Sequence, residues 1–278
     1  MSGFEPGVRL VKRSLNALGL ELRRVRSGAG SSPDSGEDGI IDGLLGKIAL
    51  RHKYAVDFGA GDGDTASISH PLFRAGWIGL AAEGDGARFA KLAYLYAGFP
   101  GVRLVRARVN PDNVLGLLAA GEAPREFGFL NLGSGGFDHY VLEKLLGAYR
   151  PSLIRAEINW MIPPPLRFVV KWDPAGLAPQ DPFRGQSLSL LEDLGKRNGY
   201  ALVGLEYDKA FLIPRELNPV PLQSAAEAYR IGYRERADRM QRLPWHKGME
   251  VLEGMGAEAA KAFVRERFQA YEGTYLLE

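Results

Sequence analysis

A strand-like run followed by a glycine-rich turn constrains the fold of this sequence more than any other feature. Residues 54–63 read YAVDFGAGDG, so an apolar run ends in Asp57 and glycine occupies every second position from 59 to 63. Glycine adopts positive φ angles without strain and, lacking a Cβ, lets a ligand approach the backbone closely. A helix that begins near Thr65 would direct its first free N–H groups at the same place. The segment therefore predicts a strand, a tight turn and a helix N-terminus that bind a nucleotide-like ligand.

The glycine spacing alone leaves two interpretations open. It reads D-x-G-x-G-x-G, which differs from the dinucleotide fingerprint G-x-G-x-x-G, and glycine-rich turns also occur as plain connectors. The next strand candidate ends in Glu83, 26 positions after Asp57 (83 − 57). An acidic residue at this point of a nucleotide-binding βαβ unit accepts hydrogen bonds from ribose hydroxyls, whereas elsewhere it is an ordinary surface carboxylate. The two features together favour the ligand-binding interpretation.

Strand and helix patterns alternate along most of the chain. Seven apolar runs have the length of strands, namely 54–58, 78–83, 102–109, 127–132, 152–158, 201–206 and 210–214. Helical patterns lie at 40–50, 65–74, 87–97, 112–120, 138–148 and 187–198. Strands separated by helices of this length predict a doubly wound, Rossmann-like α/β fold with a mostly parallel seven-stranded sheet. The last two strands predict an antiparallel closing hairpin, with helical extensions at both ends of the chain.

Three parts of the chain differ in pattern and predict its domain organisation. Residues 1–37 combine a basic amphipathic helix at 8–26 with a glycine- and serine-rich linker, 38–216 carry the strand–helix alternation, and 217–278 form a charged helical extension. The basic helix suits either a peripheral membrane contact or docking with a solvated basic face. The C-terminal extension suits packing on the flank of the sheet or a homodimer contact. Its predicted helices are 222–242 and 256–271.

A proline- and aromatic-rich segment interrupts the alternation between residues 159 and 185. It reads NWMIPPPLRFVVKWDPAGLAPQDPFRG, which cannot form a regular helix because proline removes N–H donors and clashes with the preceding turn. The segment follows the carboxyl end of a predicted strand, and such loops border the ligand crevice of parallel sheets. It is therefore either a lid or substrate wall, or a packed surface excursion.

Composition excludes several classes of function. The 278 residues carry a net charge of only +2, so the protein lacks the large positive charge that would attract nucleic acid. The sequence has no cysteine, which excludes disulfides, thiolate metal sites and a cysteine nucleophile. No histidine or carboxylate cluster has credible metal-ligand spacing, so we predict no metal site. The absence of a signal-like start and of a run of 18 apolar residues predicts a cytoplasmic protein.

The VDFGAGDG turn and the AAEGD segment resemble the cofactor site of class I S-adenosylmethionine-dependent methyltransferases. Over about residues 40–215 the sequence is similar, more narrowly, to the FkbM-type methyltransferases of bacterial polysaccharide and natural-product pathways. The segments that carry this resemblance are ARVNPDNV (107–114), FGFLNLGSGGFDHYVLEKL (127–145), YRPSLIRAEIN (149–159) and GQSLSLLEDLGKRNGYALVG (185–204).

The resemblance implies S-adenosylmethionine as the cofactor and assigns it a place. Its methionine moiety would lie over residues 59–63 with Asp57 near the ammonium group, Glu83 would accept the ribose hydroxyls, and adenine would lie near residues 107–109. A carboxylate beside the turn suits this cofactor because its sulfonium and amine are both cationic. The implied cofactor-binding residues are Asp57, Gly59, Ala60, Gly61, Gly63, Glu83, Ala107, Arg108 and Asn131.

One segment departs from the family pattern. Relatives read like S-I-D-I-D-G-N-D at the end of the fourth strand, whereas this chain has Gly133 and Gly135 in place of the two aspartates. Hard cations need oxygen ligands, so the resemblance implies methyl transfer to a small-molecule or sugar acceptor in a secondary-metabolite or polysaccharide pathway without a catalytic divalent metal. The alternative is a catalytically diverged protein that binds S-adenosylmethionine or its product but performs another role or reaction.

Four residues are candidates for the chemistry. His139 follows the fourth strand and could act as a base, because unperturbed imidazole titrates near pH 6.5; otherwise it is a surface histidine at a helix start. Asp138 is either a catalytic carboxylate or the N-cap of that helix. Glu157 and Asn159, at the end of the fifth strand, either bind an acceptor hydroxyl or amine or form a satisfied structural pair.

Overall fold

The computed structural model describes residues 35–64, 67–133, 135–174 and 181–278. These residues belong to one compact unit. The predicted basic helix at 8–26 lies outside them, so its membrane contact remains a prediction, as do the three-part division of the chain and the homodimer. Within the described ranges, no helix is both long enough and apolar enough to cross a membrane.

A seven-stranded sheet forms the centre of the molecule. Its strands are β1 Tyr54–Phe58, β2 Ile78–Glu83, β3 Val102–Arg106, β4 Phe129–Leu132, β5 Leu153–Glu157, β7 Tyr200–Glu206 and β8 Lys209–Pro214, while β6 Phe168–Val170 lies outside it. Their order is β3-β2-β1-β4-β5-β8-β7; β1 to β5 pair in parallel, and β8 pairs antiparallel with both β5 and β7. The predicted doubly wound sheet with an antiparallel hairpin is therefore confirmed.

Helices cover both faces of this sheet. They are α1 Ser35–Leu45, α2 His70–Arg74, α3 Gly86–Tyr96, α4 Val114–Ala120, α5 Asp138–Leu146 and α6 Leu188–Arg197. Successive residues of β1 illustrate the two layers, because Ala55 packs in one buried cluster with α1, α2 and α3, and Val56 packs in the other with α4, α5 and α6. Both faces of the parallel strands are buried, which explains their continuous apolar runs.

Two helices begin elsewhere than the sequence predicts. The first begins at Ser35 instead of 40, with Glu37 and Asp38 in its first turn, where carboxylates favour the positive end of a helix dipole. The second begins at His70 instead of 65, because Pro71 occupies its first turn, a position where proline is tolerated. A helix N-terminus therefore does not follow the glycine turn directly, and this part of the prediction was wrong.

The predicted continuous helix at 222–242 was also wrong. It consists of α7 Ala225–Tyr229, a wide helical turn at Arg230–Arg234 and α8 Arg239–Arg242. Gly232 in the wide turn lies so close to β7 that an added methyl group would be 2.0 Å from the Leu205 carbonyl oxygen. This contact between backbones sets the path of the chain, and helix propensity does not encode it. The second predicted helix is confirmed in position as α9 Ala257–Arg267.

The proline-rich segment is largely a packed excursion. It contains a short strand, β6 Phe168–Val170, that pairs antiparallel with β9 Tyr275–Leu277 near the C-terminus. Its side chains Leu166, Phe168 and Phe183 are buried in the main core. Of its described residues, 172–174 line the ligand cleft described below.

Ser187 joins this excursion to the start of α6. Its buried hydroxyl accepts a hydrogen bond from the Phe168 N–H at 2.9 Å and donates one to the Leu166 carbonyl at 2.7 Å. Ser187→Ala leaves both groups unsatisfied, so we expect the free energy of unfolding to fall by about 2 kcal/mol. The exposed N-cap variant Ser224→Ala is the control and should cost at most about 1 kcal/mol. Chemical denaturation measures both, and equal losses would contradict this role for Ser187.

Candidate functional site

The cleft opens where the strand order reverses, between β1 and β4. Ligands of doubly wound sheets bind at this topological switch point, outside the carboxyl ends of the strands. Here the backbone after β1 meets the backbone after β4: Gly59 has φ +90°, and a methyl group added to it would lie 2.2 Å from the Gly133 carbonyl oxygen. Only glycine fits at position 59, for both reasons.

The amides of the glycine turn are largely satisfied within the protein. The N–H groups of Gly59 and Ala60 donate to the Ala82 carbonyl, and that of Gly63 donates to the Ala60 carbonyl. The Gly61 N–H donates to a side chain, Glu83 Oε2, at 2.9 Å. The turn thus offers a ligand close approach to the backbone, but these four amides are not a free cluster of donors.

Glu83 ends β2 at the edge of the cleft, with 7% of its surface exposed. Besides the bond from Gly61, its Oε1 accepts the Asp85 N–H at 2.7 Å. A carboxylate has about four lone-pair sites, so each oxygen retains capacity for a further donor. The two backbone bonds fix the orientation of the carboxylate before any ligand arrives.

The cleft has a volume of about 850 Å³. The ends of β3 and β4 provide small or apolar lining at Ala107, Val109 and Gly133, and Trp172 from the proline-rich segment contacts Phe137 edge-on with ring centroids 4.9 Å apart. The lining also includes Glu83, Asp85, Asp173, Arg88, Arg106 and Arg108. A flat ring can lie against the apolar part, while the carboxylates and guanidinium groups surround the polar part.

Four of the implied cofactor-binding residues line this cleft, and five do not. Those that do are Gly59, Glu83, Ala107 and Arg108. Ala60, Gly61 and Gly63 lie in the turn behind it, while Asp57 and Asn131 are buried side by side on β1 and β4. The cleft lining likewise omits the four candidate catalytic residues, Asp138, His139, Glu157 and Asn159.

A row of hydrogen-bonded polar side chains lies beneath the turn. Asn131 Nδ2 donates to Asp57 Oδ1 at 2.6 Å, and Arg155 Nη1 donates to Asn131 Oδ1 at 2.6 Å. Arg155 in turn pairs with Glu37 of α1, with its Nε 2.6 Å and its Nη2 2.5 Å from Glu37 Oε2. Sequence reasoning identified Asp57 and Asn131 but missed Arg155 and Glu37.

Asp57 is fully buried, and its Oδ2 has no hydrogen-bond partner among the described residues. Burial raises the pKa of Asp57 because it penalises the charged form, while the Asn131 amide, Ser69 and the positive charge of Arg155 lower it. A buried carboxylate oxygen without a partner costs free energy, so this group would gain from a nearby cation.

Glu157 belongs to a separate cluster of charges at the end of β5. It forms ion pairs with Arg184 and with Lys209, whose Nζ lies 3.5 Å from Oε2. Although burial opposes ionisation, Lys209, Arg184 and Arg155 lower the pKa of Glu157 to about 2. A methyl group added to Gly133 would lie 3.7 Å from Glu157 Oε2, so an aspartate at position 133 would place a second carboxylate beside the first.

His139 and Asn159 make contacts away from the cleft. His139 is buried, and its Nδ1 is hydrogen-bonded to Gln186 Oε1 at 2.9 Å; burial lowers its pKa, an effect that this bond opposes. Asn159 donates to the carbonyls of Pro182 and Arg184 and accepts the Met161 N–H. It therefore anchors the proline-rich segment, and it forms no hydrogen bond with Glu157 among those the structure describes. Asp138 is buried in the first turn of α5 rather than at its N-cap position, which Phe137 occupies.

Among the described residues, no group of three or more histidine, aspartate or glutamate side chains is arranged to hold a metal ion. Two of the carboxylates at the cleft, Glu83 and Asp85, accept backbone N–H groups.

No protein-family model matches the sequence, and no curated protein matches it significantly. Solved structures with a similar course of the chain include magnesium protoporphyrin IX methyltransferase (ChlM) from Synechocystis PCC 6803 with bound SAM (10% identity, 76% of this chain and 98% of that chain, TM-score 0.39). The N-terminal domain of EvdMO1, in the presence of SAH and D-fucose, has 13% identity over 77% of this chain and 97% of that chain, with a TM-score of 0.42. The [4+2]-cyclase SpnF has 15% identity over 69% of each chain, with a TM-score of 0.38. These scores lie below 0.5, and the fold assignment rests on the strand order of this chain itself.

Proposed function

We propose that this protein is an S-adenosylmethionine-dependent methyltransferase acting on a small-molecule or sugar acceptor. The observation that carries the proposal is the convergence of Gly59, Glu83 and the small β3 end on one cleft at the switch point of the sheet. When bound, the cofactor supplies an electrophilic methyl group. The protein's own contribution is to hold and orient the reactants, which is the main requirement of such a displacement.

The residues present fit this cofactor. Gly59 and Gly133 line the cleft without side chains, Glu83 retains lone pairs for ribose hydroxyls, and Ala107 and Val109 offer a small apolar surface for adenine. Asp57 lies beneath the turn, where its buried Oδ2 lacks a partner among the described residues, and its ionised form carries a negative charge there. Charge in a low-dielectric interior acts over several ångströms, so this carboxylate favours a cationic ligand without lining the cleft.

The glycine turn also argues against a dinucleotide. A pyrophosphate needs several free N–H donors at a helix N-terminus, but the amides of Gly59, Ala60, Gly61 and Gly63 all have partners. The next described helix along the chain begins at His70 and has only five residues. The helix whose N-terminus lines the cleft, α3, is capped by the Asp85 carboxylate, which accepts the Arg88 N–H and would repel a pyrophosphate. A cofactor without phosphates places no such demand on the turn.

A hydroxyl acceptor also needs a base, and we propose His139 for that role on the basis of the sequence. Its side chain does not line the cleft, but His139 lies two residues after Phe137, which does. Its Nδ1–H donates to Gln186, which leaves Nε2 as the basic nitrogen. Burial keeps the imidazole neutral near pH 7, as a base must be. Glu157 is less suited, because a carboxylate whose pKa is about 2 binds a proton weakly.

Calorimetric titration with S-adenosylmethionine tests the proposal. We expect binding by the wild type and about a tenfold to hundredfold loss in Glu83→Gln, because that variant replaces a charged acceptor that the backbone has already oriented. Glu122→Gln is the matched control, since Glu122 forms an exposed ion pair with Arg103 and does not line the cleft. Tighter binding of NADH than of S-adenosylmethionine, or no binding of the latter, would overturn the proposal.

Finer assignments rest on the sequence segments that resemble the FkbM branch. We propose that the protein belongs to that branch, works in the cytoplasm and modifies an intermediate of a polysaccharide or secondary-metabolite pathway. Release of S-adenosylhomocysteine with a panel of sugar, hydroxyl and amine acceptors tests for transfer. His139→Gln should lower the rate without weakening cofactor binding. Cofactor binding without transfer to any acceptor would favour the catalytically diverged alternative.

A further inference from the structure

Three neighbouring strands place polar side chains at the same level beneath the glycine turn. Asp57 on β1 is in register with Asn131 on β4, and Asn131 is in register with Arg155 on β5. Side chains paired in this way lie on the same face of a sheet. Arg155 is the one charged residue between the hydrophobic positions of β5, and only 12% of its side chain is exposed.

Arg155 determines which way the Asn131 amide faces. A guanidinium can only donate hydrogen bonds, so the amide oxygen of Asn131 must point towards Arg155 Nη1, 2.6 Å away. The amide nitrogen must then point towards Asp57, and it donates to Oδ1 at 2.6 Å. Without Arg155 the amide could turn its oxygen to Asp57 and repel the carboxylate.

Glu37 fixes Arg155 from the other side. Its Oε2 lies 2.6 Å from Arg155 Nε and 2.5 Å from Nη2, and only 9% of its side chain is exposed. The residue lies in the first turn of α1, whose neighbouring Gly36 is in close contact with β7, because an added methyl group would lie 2.6 Å from Glu206 Oε1. The docked position of α1 and the position of the Arg155 guanidinium are therefore linked.

We propose that Arg155 and Glu37 are positioning residues of the cofactor site. They orient the Asn131 amide so that it donates to Asp57 and favours the ionised carboxylate, and they couple the docking of α1 to ligand binding. This inference rests on the proposed cofactor. A buried ion pair is weak evidence for stability, because desolvation offsets the attraction between the charges. The Arg155–Glu37 pair would instead serve to favour the ionised form of the Asp57 carboxylate beneath the cofactor.

The groups around Asp57 determine how the proposal can be tested by pH. Arg155 on β5 favours its ionised form by charge and Asn131 favours it by hydrogen bonding, the nearby Ser69 hydroxyl also lowers its pKa, and Glu83 on β2 disfavours the ionised form. Tyr96 on α3 also faces Asp57, and its pKa is far above neutral. Removing Arg155 therefore raises the pKa of Asp57, and the pH above which a cationic ligand binds well should move upward. A purely structural residue would change stability without this movement.

The experiment titrates the full chain with S-adenosylmethionine from pH 5 to pH 9. We expect Arg155→Met to weaken binding at pH 7 on the order of tenfold to a hundredfold, as for loss of a charged hydrogen bond, and to move the midpoint of the binding profile to higher pH. Glu37→Gln keeps the shape of the side chain and should weaken binding less, with a smaller movement. The matched controls are Arg150→Met and Glu216→Gln, which break an Arg–Glu pair remote from this row.

The outcomes separate this inference from the proposed function. If the wild type binds no S-adenosylmethionine, both fall. If the wild type binds but Arg155→Met and Glu37→Gln bind with the affinity and pH profile of Arg150→Met, the positioning role alone falls. Should Arg155→Met fail to fold, Glu37→Gln and Gly36→Ala decide the question. By linkage, the cofactor must slow hydrogen exchange in α1 of the wild type, and an unchanged exchange rate would overturn the coupling.

Discussion

Replacing Gly59 by alanine should abolish S-adenosylmethionine binding and lower the free energy of unfolding by about 3 kcal/mol, the sum expected for backbone strain and overpacking. The residue has φ +90°, and the added methyl group would lie 2.2 Å from the Gly133 carbonyl oxygen. The carbonyl oxygen belongs to the backbone and the methyl carbon is fixed directly to Cα, so neither atom can rotate away. The turn after β1 and the segment after β4 must separate, and the cleft between them changes shape.

Gly61→Ala is the matched control for this variant. Gly61 also has a positive φ, +62°, but nothing lies within 4 Å of an added methyl group. Its cost should be limited to backbone strain of about 1 kcal/mol, with cofactor affinity largely retained. Calorimetry and chemical denaturation of the two variants measure the contrast. If Gly59→Ala behaved like Gly61→Ala, the close approach of the two backbone segments would not be a requirement of the site.

Breaking the ion pair between Arg184 and Glu157 should have the second largest effect. We expect Arg184→Met to lower the free energy of unfolding at pH 7 by about 2.5 kcal/mol, less than for a fully buried pair, because a quarter of each side chain is exposed and Lys209 still pairs with Glu157. Arg230→Met is the control. Its exposed pair with Glu235 should contribute at most about 1 kcal/mol.

The stabilisation that the Arg184–Glu157 ion pair provides should decrease at acidic pH. The pKa of Glu157 is about 2 in the folded protein, below its ordinary value of 4.5. A carboxylate whose folded pKa is depressed stabilises the protein above its unfolded pKa, and this contribution is lost as the pH falls through the folded pKa. The stability difference between wild type and Arg184→Met should therefore shrink as the pH falls from about 4.5 towards 2. A difference that stays constant over this range would contradict the assigned pair.

The local pattern of apolar residues was sufficient to predict where the central strands begin and end. The bounds of β1 and β2 follow from apolar runs with a turn or a carboxylate at the end, and both strands occupy the predicted positions. The predicted Glu83 lies at the cleft because a strand that ends in the crevice carries its last side chain there. Such features depend on a few consecutive residues, which a sequence displays directly.

Features that depend on distant contacts were not predictable in the same way. The pairing of β6 with β9 joins two three-residue strands about a hundred positions apart, too short for any periodic signal. Arg155 and Glu37 meet only because β5 lies beside β4 and α1 covers that face. One signal for them was present: a charged residue within a buried strand indicates a buried partner, because an unpaired charge there is too costly.

The pairing of β6 with β9 has a consequence for the order in which the site is completed during synthesis. The Lys171 N–H donates to the Thr274 carbonyl, and its Nζ donates to the Gly273 carbonyl, 102 positions later in the chain. Trp172, the next residue, forms part of the cleft wall. At roughly 5 to 20 residues per second, a ribosome needs about 5 to 20 s to make that intervening stretch. In a nascent chain that already contains Gly59, Glu83 and Gly133, the segment that carries Trp172 is therefore not yet held by these hydrogen bonds. A chain released before residue 273 would contain the described residues that line the cleft but would lack the bonds to residues 273 and 274.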